Sequence, residues 1–314
     1  MSLASAAKHE PGRSEPAHRH TAAEGRILAA LLLTLASMVL EVVGGVLAGS
    51  LALLSDAGHM LADAGALFLA LIAQRVASRP RTALRTYGSR RAETLAAFLN
   101  GIALGVTAVW IFLEAVERWR NPPPVNGRFM LVIATIGLVA NLLAAWVLSS
   151  GAFERNANTR AALAHVLSDA AGSVAAMLAG VCVLFLGWPR ADPAVSLGLS
   201  VLILWSAWRL VLRTAAVLME STPPGLSLPD LDTTIRRTPG VADLHDLHAW
   251  TISDGFDIVT VHVVLDGTLH GTDVAREVAG RVREIHRIEH VTVQPEPPAA
   301  QISLQIGRPS SQRR

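Results

Sequence analysis

An α-helical membrane protein, with six transmembrane helices followed by a small αββαβ domain of the ferredoxin/metallochaperone-like kind, is the fold class the sequence predicts. Three observations predict it. Of 314 residues, 51% are hydrophobic and only 17% charged, an apolar excess that a single water-soluble domain rarely carries. Six apolar segments, each close to the roughly 20 residues a helix needs to cross a bilayer, fill the chain up to residue 219. Past Pro223-Pro224-Gly225 the long apolar runs stop and short alternating ones begin.

The elements follow in order. Residues 1–25 are polar, contain Lys8, Arg13, Arg19, Pro11 and Pro16, and have no apolar period. They read as a disordered cytoplasmic tail in which His9, His18 and His20 are solvated. The first apolar run, 27–49, holds one charge, Glu41; it is too long for a signal-peptide core and lacks a small-residue cleavage site. The second, 51–74, carries Asp56, His59 and Asp63. The third (95–113) and fourth (129–150) carry no charge, although Asn141 stands alone in the fourth. The fifth, 161–188, carries His165 and Asp169, and the sixth, 193–219, has Arg209 and Arg213 near its end, where they must snorkel. Cys182, the one cysteine, lies inside an apolar run; it has no internal disulfide partner and reads as a small hydrophobe.

Loop charge sets the orientation. The second-to-third and fourth-to-fifth connections hold eight arginines (75, 79, 81, 85, 90, 91, 155, 160), against four (118, 120, 128, 190) on the other side. Lys8, Arg13, Arg19 and Arg26 add to the larger set, so both termini are expected in the cytoplasm. A formal net charge of +2 supplies no global basic field, and a nucleic-acid partner is excluded.

Beyond the proline break, residues 229–237 read as a short helix between Pro229 and Pro239-Gly240. Residues 241–252 and 256–265 read as strands, the second alternating Thr260, His262 and Val264 with Val259, Val261, Val263 and Leu265. Asp254-Gly255 between them is a hairpin signal. Residues 272–286 read as a helix capped by Thr272, and 290–293 as a last strand. The expected divisions are a tail at 1–25, a six-helix transmembrane domain at 26–220, a cytoplasmic αββαβ domain at 221–298, to which the resemblance given below assigns regulation and dimerisation, and a disordered tail at 299–314.

Ionisable groups inside a membrane helix cost about 2.5–3.5 kcal/mol each on insertion scales, so those that remain need a reason. His59 and Asp63 are four residues apart and share one helix face. His165 and Asp169 repeat that spacing, and the surroundings repeat too: His59-Met-Leu-Ala-Asp63-Ala-Gly against His165-Val-Leu-Ser-Asp169-Ala-Ala-Gly. Two such helices face to face offer two imidazole nitrogens and two carboxylates, a donor set that suits tetrahedral Zn²⁺ and neutralises a dication. Ala62, Ala64, Gly65, Ala170, Ala171 and Gly172 permit close approach. Asp56 reads either as an outer partner orienting His59 or as a headgroup-level residue facing water. Neither Glu41 nor Asn141 is counted as a ligand.

The chain resembles the cation diffusion facilitators, the family of bacterial zinc and cadmium exporters and vesicular zinc transporters. The resemblance is carried by Ser55-Asp56-Ala-Gly-His59-Met-Leu-Ala-Asp63, Tyr87-Gly-Ser-Arg-Arg-Ala-Glu93, His165-Val-Leu-Ser-Asp169, His245-Asp-Leu-His-Ala-Trp250 and His290-Val-Thr-Val-Gln-Pro-Glu296. It implies a homodimer in the bilayer that exchanges cytoplasmic metal for outside protons through His59, Asp63, His165 and Asp169. It also implies that zinc is favoured by His59, with Cd²⁺, Co²⁺ or Ni²⁺ open; the short loops and the absence of a histidine-rich insert fit a bacterial inner membrane. It further implies regulatory metal at His245 and His262, with Glu296 where the family places an acidic ligand, and opposite charges, here Arg91 and Glu220, joining the membrane and cytoplasmic parts. Two family features are missing. The stretch 79–91 has no Asp or His for a second metal, and the connection 151–160 has no histidine. The rival classes are an intramembrane metalloenzyme, for which no His-Glu-x-x-His motif exists, a membrane metal sensor, and a proton-coupled carrier of organic substrate.

Overall fold

The computed structural model describes residues 17–149, 157–253 and 255–298. Six helices in it are long and apolar enough to cross a membrane: α1 (Ala17–Ala48), α2 (Leu51–Ala77), α3 (Arg91–Arg120), α4 (Gly127–Ser149), α5 (Ala157–Leu186) and α6 (Ala191–Leu218). α7 (Leu228–Arg236), β1 (Val241–Ser253), β2 (Phe256–Leu265), α8 (Gly271–His286) and β3 (His290–Glu296) follow. The αββαβ order is therefore as expected.

The boundaries differ in informative ways. α1 begins at Ala17, not at 27, because helix continues through the polar stretch before the apolar one; the apolar part is Ala29–Ala48. α3 runs past 113 to Arg120, its polar last turns held by Arg118 donating to Glu114 (2.9 Å) and to the Gly49 carbonyl (2.8 Å). Ser227 caps α7 by accepting from the Asp230 amide, and Pro229 stands in its first turn, near the start as the sequence places it. α8 starts at Gly271 behind His270, which makes no side-chain cap bond, so Thr272 is not the cap. Asp254 lies outside the described residues; Ser253 pairs with Phe256 and Gly255 takes φ +70°, as a two-residue hairpin requires.

The contacts divide the chain into two compact units. The first, residues 1–64 with 104–204, contains α1, α4, α5 and the facing halves of α2, α3 and α6. α4 packs on both α1 and α5, around a seam of small residues that includes Ala48, Ala52, Ala134, Ala176 and Ala179. Without a hydrophobic drive between helices in lipid, such residues allow the close backbone approach that dispersion needs. Large apolar side chains such as Leu32, Val46, Leu67, Phe68 and Trp205 point outward, the inverse of a water-soluble core. The join between α1 and α2 is a buried cap. Gly49 turns the chain at φ +69°. Asp192, fully buried in the first turn of α6, then accepts from Ser50 Oγ (2.6 Å), Leu51 N (2.9 Å) and Ala52 N (3.1 Å). A carboxylate there answers the orphan amides and the positive end of the α2 dipole.

The second unit, 65–103 with 205–314, holds the other halves of α2, α3 and α6 and the C-terminal domain. Its sheet order is β1-β2-β3, with β1 antiparallel to β2 and β2 parallel to β3. The apolar phase of β2, Val259, Val261 and Val263, is buried against Leu231 and Ile235 of α7 and Val274, Val278 and Val282 of α8. The other phase, Thr260 and His262, faces away from that core.

Candidate metal centres

In the first unit α2 and α5 bring together the four side chains that the repeated spacing singles out. His59 Nε2 lies 3.5 Å from Asp63 Oδ2, and the same oxygen lies 3.7 Å from His165 Nδ1. His165 Nε2 is 3.6 Å from Asp169 Oδ2, and the two imidazole centroids are 6.5 Å apart. These separations are long for hydrogen bonds. They match the edge of a tetrahedron whose corners stand ~2.1 Å from a zinc ion, which is about 3.4 Å. Asp63 Oδ2, both Asp169 oxygens and His59 Nδ1 are buried with no hydrogen-bond partner among the described residues, so donors are already turned away from the rest of the protein. The four form a chain rather than a closed cage, because His165 shows one ring nitrogen to each carboxylate. Among the described residues no three of them bring one ligand atom each within 4.8 Å of one another, whereas three residues of the C-terminal domain do.

The two readings of Asp56 both need correction. The residue is 4% exposed, not at a water-facing headgroup level. Nor does it orient His59, whose Nδ1 has no partner. Its carboxylate instead fits against α5 at Gly172, where a Cβ would collide with it. Glu41 is likewise fully buried, accepting from Ser37 Oγ at 3.3 Å and filling the space left by Gly137 of α4. Asn141 donates to Ser173 Oγ at 3.3 Å.

A second cluster lies on the solvent face of the C-terminal sheet. His245 Nε2 is 3.0 Å from Glu296 Oε2, and His262 Nδ1 is 2.9 Å from Glu296 Oε1. Their ligand atoms can all lie within 4.8 Å of one another. Register explains the convergence. His245 pairs with His262 and His248 with Thr260, so β1 spends three residues where β2 spends two. The extra residue is a bulge at which Asp246 takes φ +49°, and bulges re-aim side chains in this manner. β3 runs on to Glu296, three residues past the sequence expectation, and its parallel pairing sets Glu296 beside Val264 on the histidine side. The Glu296 carboxylate holds the His245 imidazole above the usual histidine range. Hydrogen bonds from His245, then His262, hold Glu296 below the usual carboxylate range. Two nitrogens and a carboxylate fit three corners of a zinc site. Of the other histidines, His248 is exposed opposite Thr260, His286 Nε2 meets Thr234 Oγ1 at 3.0 Å, and His270 precedes α8.

The same unit shows where the 78–90 segment goes. Tyr87 meets His290 and Phe256 edge-on (centroids 5.8 and 6.5 Å), and the Arg90 guanidinium sits 4.6 Å over the Phe256 ring. Arg91 Nη2 donates to Glu220 Oε1 at 2.7 Å. The Tyr87-to-Glu93 motif thus rests on the β1–β2 hairpin and the start of β3, through ring and cation–π contacts.

The family described as the cation efflux transmembrane domain matches residues 27–219, and the cation efflux protein cytoplasmic domain matches residues 223–298. The chain belongs to the cation efflux family. Zinc transporter ZitB of Escherichia coli (strain K12) is 42% identical over 272 residues, 86% of this chain and 87% of the relative. The cadmium, cobalt and zinc/H(+)-K(+) antiporter of Bacillus subtilis (strain 168) is 40% identical over 283 residues, 89% and 91% of the two lengths. The metal cation efflux system protein CzcD of Cupriavidus metallidurans is 38% identical over 279 residues, 88% of each. A solved structure of the metal-bound C-terminal domain of the CzcD transporter is 35% identical and covers 23% of this chain and 99% of its own, with a TM-score of 0.22. This cation efflux protein is a transporter, not an enzyme.

Sequence reasoning missed Asp192, whose partners lie 140 or more positions away, and the joint burial of Glu41 and Asp56. The signal available was charge inside apolar runs, which singled out Glu41 and Asp56 but not their neighbours.

Proposed function

We propose that this protein exports Zn²⁺ from the cytoplasm in exchange for protons, using His59, Asp63, His165 and Asp169 as the transport site. The observation that carries the reading is the meeting of two imidazole–carboxylate pairs, from α2 and α5, with donor atoms 3.5–3.7 Å apart. Zinc binding requires neutral imidazole and ionised carboxylate, so metal and protons compete for the same atoms. Facing inward the set takes Zn²⁺; facing outward, protons load His59 and His165 and the metal leaves. Names of relatives that mention zinc, and one that mentions H(+), support cargo and counter-ion. Cd²⁺, Co²⁺ and Ni²⁺ accept similar donors and are the competing cargoes. The loop-charge asymmetry supports cytoplasmic termini in a bacterial inner membrane, and the match to the family's cytoplasmic domain supports a homodimer. His245, His262 and Glu296 serve as the regulatory zinc site, and the Arg91–Glu220 pair joins the membrane part to the cytoplasmic domain. Purified protein in proteoliposomes with a pH gradient tests the transport reading. Wild type moves zinc, and His59→Ala or Asp63→Ala lowers flux at least 100-fold; zinc flux retained by either variant refutes the site.

A further inference from the structure

Glu41 and Asp56 come from different helices, yet both are buried; the Glu41 charge acts on Asp56, and that of Asp169 acts on both. Ser173 of α5 lies beside both carboxylates and takes its own hydrogen bond from Asn141 of α4. Glu41 Oε2, Asp56 Oδ2 and Asn141 Oδ1 are buried without a hydrogen-bond partner among the described residues. The donors beside them include the hydroxyls of Ser37 and Ser173 and the Asn141 amide, and Ser55 Oγ, on the residue before Asp56, is buried without a partner among the described residues. α4 contributes Gly137 and Asn141 here. α5 adds Asp169 one turn from Ser173, with His165 beyond it; α2 adds His59 and Asp63 beyond Asp56. Two ionised carboxylates in a water-poor interior, without a cation beside them, are strongly disfavoured.

We propose that Glu41 and Asp56, bridged by Ser173, form a proton-holding site distinct from the metal quartet. One proton shared by the pair removes one negative charge and gives a donor to a carboxylate oxygen that has no partner among the described residues. The close fit of both carboxylates into the grooves at Gly137 and Gly172 suits a proton better than an alkali cation, which needs a shell of several oxygens. The site lies next to the quartet, since Ser173 is one helical turn from Asp169. A proton displaced from the quartet by arriving metal therefore has a neighbouring acceptor, and one released from the pair has a route back. The inference rests on the antiport reading for its role in transport, but not for its existence.

The test uses the full-length protein in two arms. Infrared difference spectra of the wild type, across a pH titration without metal, are expected to show a protonated-carboxyl C=O band at neutral pH. That band should shift in D₂O and disappear in Glu41→Gln and in Asp56→Asn. Absence of the band in wild type, or its survival in both variants, overturns the proposal without touching the zinc site. In the second arm, calorimetric zinc titrations in buffers of different ionisation enthalpy count protons exchanged per metal. Glu41→Gln is expected to change that count by about one while zinc affinity stays within threefold. A tenfold or greater loss of affinity makes Glu41 part of the metal site and overturns the assignment, as does a band that responds to K⁺ instead of pH. Failure of proton-driven zinc flux with the infrared band intact defeats antiport and leaves this site standing.

Discussion

Replacing Asp192 by Ala removes the acceptor for three donors at the start of α2: Ser50 Oγ at 2.6 Å, Leu51 N at 2.9 Å and Ala52 N at 3.1 Å. All of these groups are fully buried. The serine hydroxyl can rotate to another acceptor, but the two amides cannot. Each stranded buried N–H costs about 1–3 kcal/mol, and losing a buried negative charge at a helix N-terminus adds roughly 0.5–2 kcal/mol. The terms share one geometry and do not add fully, so the net loss is on the order of 3–5 kcal/mol, large on the scale of single substitutions. Asp192→Asn keeps one side-chain acceptor and should fall near half that. The assay is thermal unfolding of detergent-purified protein by tryptophan fluorescence, with zinc flux measured beside it. α2 also carries His59 and Asp63, so a frayed N-terminus lowers flux in the same order as stability. The reasoning is refuted if Asp192→Ala melts with the wild type, or if Asn and Ala are indistinguishable.

Two further outcomes are expected. In full-length protein carrying His59→Ala and Asp63→Ala, zinc binding at His245, His262 and Glu296 should strengthen as pH rises through the raised His245 value, because the competing proton is lost. Glu296→Gln should abolish that binding; unchanged binding isotherms would remove the triad from consideration. The ion pair itself has the opposite dependence on its two members. The raised imidazole stabilises below its ordinary range and loses that contribution as pH rises, whereas the lowered carboxylate stabilises above its ordinary range and loses it as pH falls. For the Arg91–Glu220 pair, partly exposed at 38% and 57%, either single charge reversal should change the melting free energy by less than about 1 kcal/mol. Flux should fall several-fold in each single variant and recover in the double swap, and failure to recover speaks against a joining role.

Much of the architecture could be read from local chemistry. Six apolar runs become helices because a bilayer leaves backbone groups no other partner, and β2 shows its two faces in an unbroken alternation. His59 with Asp63, and His165 with Asp169, could be paired because four-residue spacing is itself a geometric statement. What could not be read are contacts fixed by tertiary placement. Asp192 looks like an ordinary first-turn acid of α6, and nothing near it in sequence points to the α2 amides. Asp56 looks aligned with His59, but rotation about the helix axis turns it toward Gly172. Glu296 entered as a ligand candidate by resemblance. Its convergence with His245 depends on a bulge at Asp246 and on a strand three residues longer than its apolar pattern.

The two metal-competent clusters differ in a way that suits different work. His245, His262 and Glu296 already stand at hydrogen-bond separations, 2.9 and 3.0 Å, on paired strands of one sheet. A rigid platform of that kind is pre-organised, and its ligand atoms change little when metal replaces the shared protons. His59, Asp63, His165 and Asp169 sit on two helices, at 3.5–3.7 Å, with one imidazole divided between two carboxylates. Tight, permanent capture would make a poor transport site, since cargo must leave in the other state. A set whose donors belong to two different helices couples affinity to helix position. Small relative movements of α2 and α5 then change metal affinity steeply, because Zn²⁺ demands four donors within ~0.2 Å of their ideal distance. On the antiport reading proposed above, the looseness that makes this quartet look incomplete would let proton loading and helix movement expel the ion.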